Sequence, residues 1–231
     1  MADALVGAGA RVAVTSRSQE RAEATARELR GAAVGFGSDV RDEESVAQLV
    51  NAVVDHFGGI DLLVNNAGIG MWAVNARFPA YVQPFWEVDP QAFRDVLDTK
   101  VAGVFHVARA VVPRMLAAGS GRVVNISMNE STMIRRGFVP YGPSGAAVEA
   151  MSRVMATELD GSGVTVNLLL PGGATATGMV PDDAPDEFKV RLLDPSVMAA
   201  PIVWLASAAA ADVHNERIIA NEFDEWLARR A

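Results

Sequence analysis

The chain reads as an α/β protein: a doubly wound parallel sheet in a single domain, residues 1–231. Three observations carry this. Short β-branched or apolar runs at 11–15, 32–38, 61–65, 122–126 and 164–170 have the length and composition of buried strands. Stretches with helical apolar spacing alternate with them, at 18–30, from Asp42 or Glu43 to Phe57, at 91–117 and at 143–160. Polar or glycine-containing turns follow several of the strands, at the carboxyl end where open α/β sheets bind ligands.

Taken in order, residues 1–7 form the end of a helix stopped at Gly7 or Gly9. Ser18 is placed to cap helix 18–30, with Glu20 in its first turn. The helix ending at Phe57 is stopped by Gly58-Gly59. Residues 69–89 contain Pro and aromatics, show no period, and are long enough for a binding loop. Helix 91–117 carries Phe93, Val96, Leu97, Val101, Val104, Phe105, Ala108, Val111, Val112 and Met115. That face is wide enough to meet both the sheet and a second subunit. A helix opening at Pro143 carries Ala147, Met151, Val154, Met155 and Leu159 on one face. Helices 91–117 and 143–160 are the expected surface of a homo-oligomer. Residues 195–210 are helical and 217–220 a last short strand. No repeat or linker interrupts the pattern.

Composition narrows the function. No apolar run approaches the ~20 residues of a membrane helix, and no basic-then-apolar leader opens the chain. With a formal net charge of −8, nucleic acid is not an expected partner. Cysteine is absent, which removes disulfides and thiolate metal sites. His56, His106 and His214 have no acidic neighbours at ligand spacing, so no metal is expected. A cytoplasmic location follows from the missing export and anchoring signals.

The organising stretch is 121–160. A buried strand, a polar loop and then Tyr141 precede the long helix. This arrangement resembles the catalytic segment of the classical short-chain dehydrogenase/reductase family, with its Ser…Tyr-x-x-x-Lys set, and the likeness extends over about 4–220. Tyr141 stands in place as general acid/base. Other members of the set differ: Gly145 replaces the lysine, Met128 the serine (Ser127 is adjacent), and Lys100 an asparagine of the preceding helix. Tyr141, Ser127 and Lys100 are therefore the catalytic candidates.

The resemblance implies a Rossmann-like fold, an NADP or NAD cofactor, and hydride transfer to or from a small hydroxyl or carbonyl substrate. Asn65-Asn66-Ala67-Gly68 resembles the family's Asn-Asn-Ala-Gly turn, giving Asn65, Ala67 and Gly68. Asp39 and Val40 match the pair that holds adenine. Ser16 stands where many NAD-preferring members carry an acid, and the guanidinium of Arg17 beside it suits a ribose 2′-phosphate, favouring NADP. Pro171 and Gly172, with Thr175 and Thr177 beyond, match the turn facing the nicotinamide amide, and 173–193 would be a lid.

Family members open with a strand and a glycine-rich turn, whereas this sequence starts within the helix that follows them. Gly7-Ala8-Gly9-Ala10 precedes a strand instead of following one, and position 12 is Val where a third glycine belongs. Strands 11–15 and 61–65 thus lack a shared neighbour. The expected outcomes are closure of that gap or reduced stability, together with weakened nucleotide binding. Two classes compete: an oxidoreductase of reduced activity, and a non-catalytic relative used for binding or assembly. A third reading, a hydrolase nucleophile at Ser144 in Gly142-Pro143-Ser144-Gly145-Ala146, lacks the strand–turn–helix context. For Lys100 the plainer expectation is solvent or a pair with Asp98; the alternative is the space beside Tyr141 that Gly145 leaves.

Overall fold

The computed structural model describes residues 1–29 and 31–230, so the predicted helix end at Arg30 and the final residue of the predicted domain lie outside the described residues. Helix α1 (Ala2–Gly7) leads into β1 (Val12–Ser16), α2 (Gln19–Glu28), β2 (Ala33–Gly37), α3 (Glu43–Phe57) and β3 (Leu62–Asn65). After the long loop come α4 (Pro90–Leu97), a π turn (Asp98–Ala102), α5 (Gly103–Ala118), β4 (Gly121–Ile126), α6 (Glu130–Met133) and α7 (Tyr141–Glu158). The chain closes with β5 (Val164–Leu170), α8 (Asp186–Lys189), α9 (Ala199–Ala206), β6 (Arg217–Ile219) and α10 (Phe223–Ala228). Local chemistry sets the helix ends as the sequence predicts. Ser18 accepts the Arg21 amide at 3.3 Å, and Asp42 accepts those of Glu44 and Ser45. Gly58 ends α3 at φ 85°, a conformation that favours glycine.

All strand pairs are parallel, and helices cover both faces of the larger sheet. Alternation along the strands divides the core in two. Val124, Leu169 and Ile218 face α9 and α10, meeting Ile202, Leu205, Phe223 and Trp226. Val123 and Val166 face the other way, toward Val46 and Val50 of α3, Val107, Val111 and Met115 of α5, and Ala156 of α7. Each such buried aliphatic contributes about 1.5–3 kcal/mol.

The strands form two sheets, β1-β2 and β3-β4-β5-β6. Of the two expected outcomes, closure of the gap or reduced stability, closure is not seen: no ladder joins β1 and β3 among the described residues. Instead half-buried Val12, Leu62 and Val64 pack against the apolar cluster that contains Leu5 of α1. β1 pairs on its other edge with β2, and β3 with β4.

Two helix predictions need correction. The stretch 91–117 is two α-helices joined by a π turn, so its apolar residues do not share one continuous face. Taken whole, Pro90–Ala118 is long and apolar enough to cross a membrane by length and composition, contrary to the run-length reading, yet α5 lays its buried side on the sheet. Helix α7 opens at Tyr141, two residues before Pro143. Its buried face is Gly145, Val148, Ser152 and Ala156; Val154 is 57% exposed. Small and polar residues line the sheet side because Asn125 and Ser152 bond there, a pattern that apolar periodicity misses.

Hydrogen exchange tests the open gap. Amides of β4 and β5 are expected to exchange slowest, and the β1 and β3 amides that face the gap at least roughly tenfold faster. Equal protection along all four strands would contradict an unpaired edge.

Candidate active site

Four strand ends bring the predicted residues to one crest. Ser16 closes β1, Asn65 closes β3, Ser127 follows β4 and Pro171 follows β5. Tyr141 arrives as the first residue of α7. That start is fixed by Gly142, whose amide donates to Phe138 at 2.7 Å, and whose Cβ, if present, would stand 2.4 Å from the Met133 carbonyl oxygen. Only glycine allows α6 so close.

The departures in the catalytic set interlock. A Cβ on Gly145 would lie 2.7 Å from Met128 Cε and 2.9 Å from its sulfur, so the thioether fills the space a lysine would use. Lys100, raised on the π turn, turns inward: its Nζ lies 4.8 Å from the centroid of the Tyr141 ring. This corrects the expectation of a solvent-facing or Asp98-paired lysine. Gly68 borders the same space, since a Cβ there would stand 3.5 Å from both Lys100 Nζ and Met179 Cε. Burial lowers the Lys100 ammonium to about 8, and burial also raises the Tyr141 phenol above its usual value.

Ser127 does not join Tyr141. Its buried hydroxyl donates to Glu149 Oε1 at 2.5 Å, and no hydrogen bond links it to the phenol among the described residues. Glu149 in turn takes Arg217 Nε at 2.9 and 3.1 Å, while Arg217 Nη2 donates to the Met128 carbonyl at 2.9 Å. Sequence reasoning missed this pair; the signal was an acid beside the buried face of α7 and an arginine in the last strand. Asn125 was also missed. It accepts Asn65 Nδ2 at 2.8 Å and donates to Ser152 Oγ at 2.8 Å, pinning the Asn65–Gly68 turn to α7.

The other predicted residues ring this centre. Asp39 is held by Arg41, at 3.0 Å from Nε and 2.6 Å from Nη2, and that hydrogen bond keeps its carboxyl below the usual range. The Val40 carbonyl meets His106 Nδ1 at 3.0 Å, and its side chain packs on Gly103. Arg17 is exposed beside Ser16. Gly172 adopts φ 94° with Asn221 against it, and its carbonyl accepts Asn129 Nδ2 at 2.8 Å. Thr175 pairs with Leu193 in an isolated bridge, and the Thr177 hydroxyl accepts the Met179 amide at 3.4 Å. Across the opening Phe188 of α8 meets Phe78, Phe78 meets Phe138, and Phe138 meets Tyr141, at 6.0, 5.7 and 6.4 Å between ring centroids. Ser144 is fully buried and donates to the Tyr141 carbonyl at 2.7 Å, so it presents no nucleophile. Gly7–Ala10 lies at the amino end of β1, opposite Ser16.

A parallel sheet with helices on both faces, and a tyrosine and a lysine over its carboxyl crest, defines an α/β enzyme of the nucleotide-binding type. The family model described as short chain dehydrogenase matches residues 1–187. D-threitol dehydrogenase of Mycolicibacterium smegmatis is 36% identical over 230 residues, 95% of this chain and 85% of that protein. A gluconate 5-dehydrogenase from Burkholderia cenocepacia, solved in complex with NADP and tartrate, superposes with a TM-score of 0.83 at 27% identity, covering 97% of this chain and 89% of that one. A 3-ketoacyl-(acyl-carrier-protein) reductase from Brucella melitensis complexed with NADH gives 0.83 at 25% identity, covering 94% and 89%. This chain is a member of the short-chain dehydrogenase family.

Two outcomes follow from the geometry. Glu149→Ala leaves the partly buried Arg217 without its carboxylate and is expected to cost about 2–3 kcal/mol in denaturant unfolding, with Arg217→Met recovering part in the double variant. Lys100 releases its proton near 8 when folded, against 10.5 when free, so the unfolded chain binds that proton better. Stability should therefore rise between pH 8 and 10.5. Lys100→Met should remove that rise and add on the order of 1–2 kcal/mol at pH 7.

Proposed function

We propose that this protein is an NADP- or NAD-dependent oxidoreductase that moves hydride between nicotinamide and a small hydroxyl or carbonyl compound. The observation carrying the reading is Lys100 over the Tyr141 ring beside Gly68, at the crest where the family works. When bound, the dinucleotide supplies the hydride. Tyr141, kept protonated by burial, donates its proton to the substrate oxygen as the carbonyl is reduced. The Lys100 ammonium favours the phenolate that forms, in place of the family lysine lost at 145. Ser127 has no part in this step, because its hydroxyl is committed to Glu149.

The residues suit a dinucleotide at its two ends. Ser16, Arg17, Asp39 and Val40 would hold the adenosine half, and exposed Arg17 favours NADP. Asn65, Ala67, Gly68, Pro171, Gly172, Thr175 and Thr177 would surround the nicotinamide half, with Gly68 bordering the space that Lys100 faces. Exposed Phe105 and Val154 on α5 and α7 support a homo-oligomer through those helices. A net charge of −8 supports a small-molecule substrate over nucleic acid, and a cytoplasmic location fits. No observation favours the non-catalytic reading.

The test is reduction of carbonyls corresponding to D-threitol and gluconate, together with 3-ketoacyl thioesters, under NADPH and NADH. Tyr141→Phe should abolish turnover at least a hundredfold. Turnover should fall as pH rises through about 8, where Lys100 loses its charge. Unchanged activity in Tyr141→Phe would overturn the assignment.

A further inference from the structure

We propose that Lys100 makes the space at Tyr141 a carboxylate site, so that the substrate is a hydroxy or oxo acid whose carboxylate lies within a few bonds of the reacting carbon. The proposal rests on the oxidoreductase reading and names its substrate class.

The chain uses lysine twice among 20 basic residues, at Lys100 and Lys189. Lys189 has an acceptor, the Asp182 carbonyl, at 2.5 Å. Lys100 has neither a hydrogen-bond acceptor nor an ion-pair partner among the described residues, although every ammonium brings three donors. Beside it stand the Tyr141 ring and Gly68, with the Met179 methyl also against Gly68, and none of these neutralises a charge. Withdrawing an ammonium from water without a partner is costly, and an anion placed there removes that cost. The position is not one the side chain drifts to from a surface helix. The π turn Asp98–Ala102 packs on α7 and raises Lys100 toward the phenol.

The charges around it fix the kind of anion. Tyr141 is the titratable group that faces Lys100 from α7. Asp98, on the same turn, lies on the side of Arg41, whose charge it reinforces. Arg41 is itself engaged by Asp39 and, at 3.7 Å, Asp95. Among the described residues around Tyr141 a single compact cation therefore stands free, matching one negative charge and not the two of a phosphate monoester. Since the phenol proton is needed by the reacting oxygen, the ammonium is the group left to take the carboxylate.

The scarcity of lysine makes the test direct. Protein labelled with [ε-13C]lysine gives two lysine signals, assigned with Lys189→Arg. Their titration is followed with acetate against acetamide, and with 2-oxobutyrate against 2-oxobutyramide, with and without NADP. The carboxylates are expected to move the Lys100 midpoint upward by roughly one pH unit, a tenfold preference for the ammonium. The neutral amides should leave it in place. Lys100→Met should weaken 2-oxobutyrate binding at least tenfold and leave the amide unaffected. A Lys100 midpoint that carboxylates do not move, or that amides move equally, overturns the proposal. That result, with turnover still lost in Tyr141→Phe, leaves the oxidoreductase reading standing. A shifted midpoint in a protein without turnover supports the carboxylate site and removes the reading it was built on.

Discussion

Burial of β4 and β5 on both faces is the constraint from which the rest follows. Their alternating side chains are shared between two helical layers, so each strand must end at a fixed height and release its loop at one crest. Asn125, near the carboxyl end of β4, is fully buried among them and spends both ends of its amide on Asn65 and Ser152. The same contacts that satisfy a buried polar group therefore tie the turn after β3 to the sheet-facing side of α7 at Ser152. Site geometry here is a by-product of closing the core.

The changed catalytic positions make physical sense as one event. A methionine at 128 needs the absence of a side chain at 145, and the glycine at 145 provides it. With that channel filled by a thioether, a cation can reach Tyr141 only from another element, and the π turn delivers one. Arg217 and Glu149 then hold the Met128 carbonyl and the Ser127 hydroxyl, fixing the backbone from which the thioether reaches Gly145.

Strands, caps and turns were legible in the sequence because they depend on near neighbours: Ser18, Asp42 and Gly58 act within one turn of themselves. The Asn65–Gly68 and Pro171–Gly172 turns were legible for the same reason. What was not legible depends on residues far apart in the chain. The buried face of α7 carries Gly145 and Ser152, which no apolar count selects, and Glu149 finds Arg217 across 68 positions. The π turn arises inside a continuous helical pattern and leaves that pattern intact. For Lys100 the sequence left two directions open, solvent or Asp98 and the space beside Tyr141; near neighbours do not decide between them, whereas the packing of the π turn on α7 does.

The open seam between the two sheets has a consequence for anything that binds across it. Ser16, Arg17, Asp39 and Val40 belong to the β1-β2 leaf, whereas Asn65, Gly68, Tyr141 and Gly172 belong to the larger one. Among the described residues no ladder bond sets the spacing of the leaves. It is kept by Val12, Leu62 and Val64 packing on one cluster, and by the loop after β2, whose Val40 rests on Gly103 and whose Arg41 reaches Asp95. A ligand long enough to touch both leaves acts as a brace. Part of its binding free energy goes into holding them in alignment, so its apparent affinity measures the docking of two leaves as well as its own contacts.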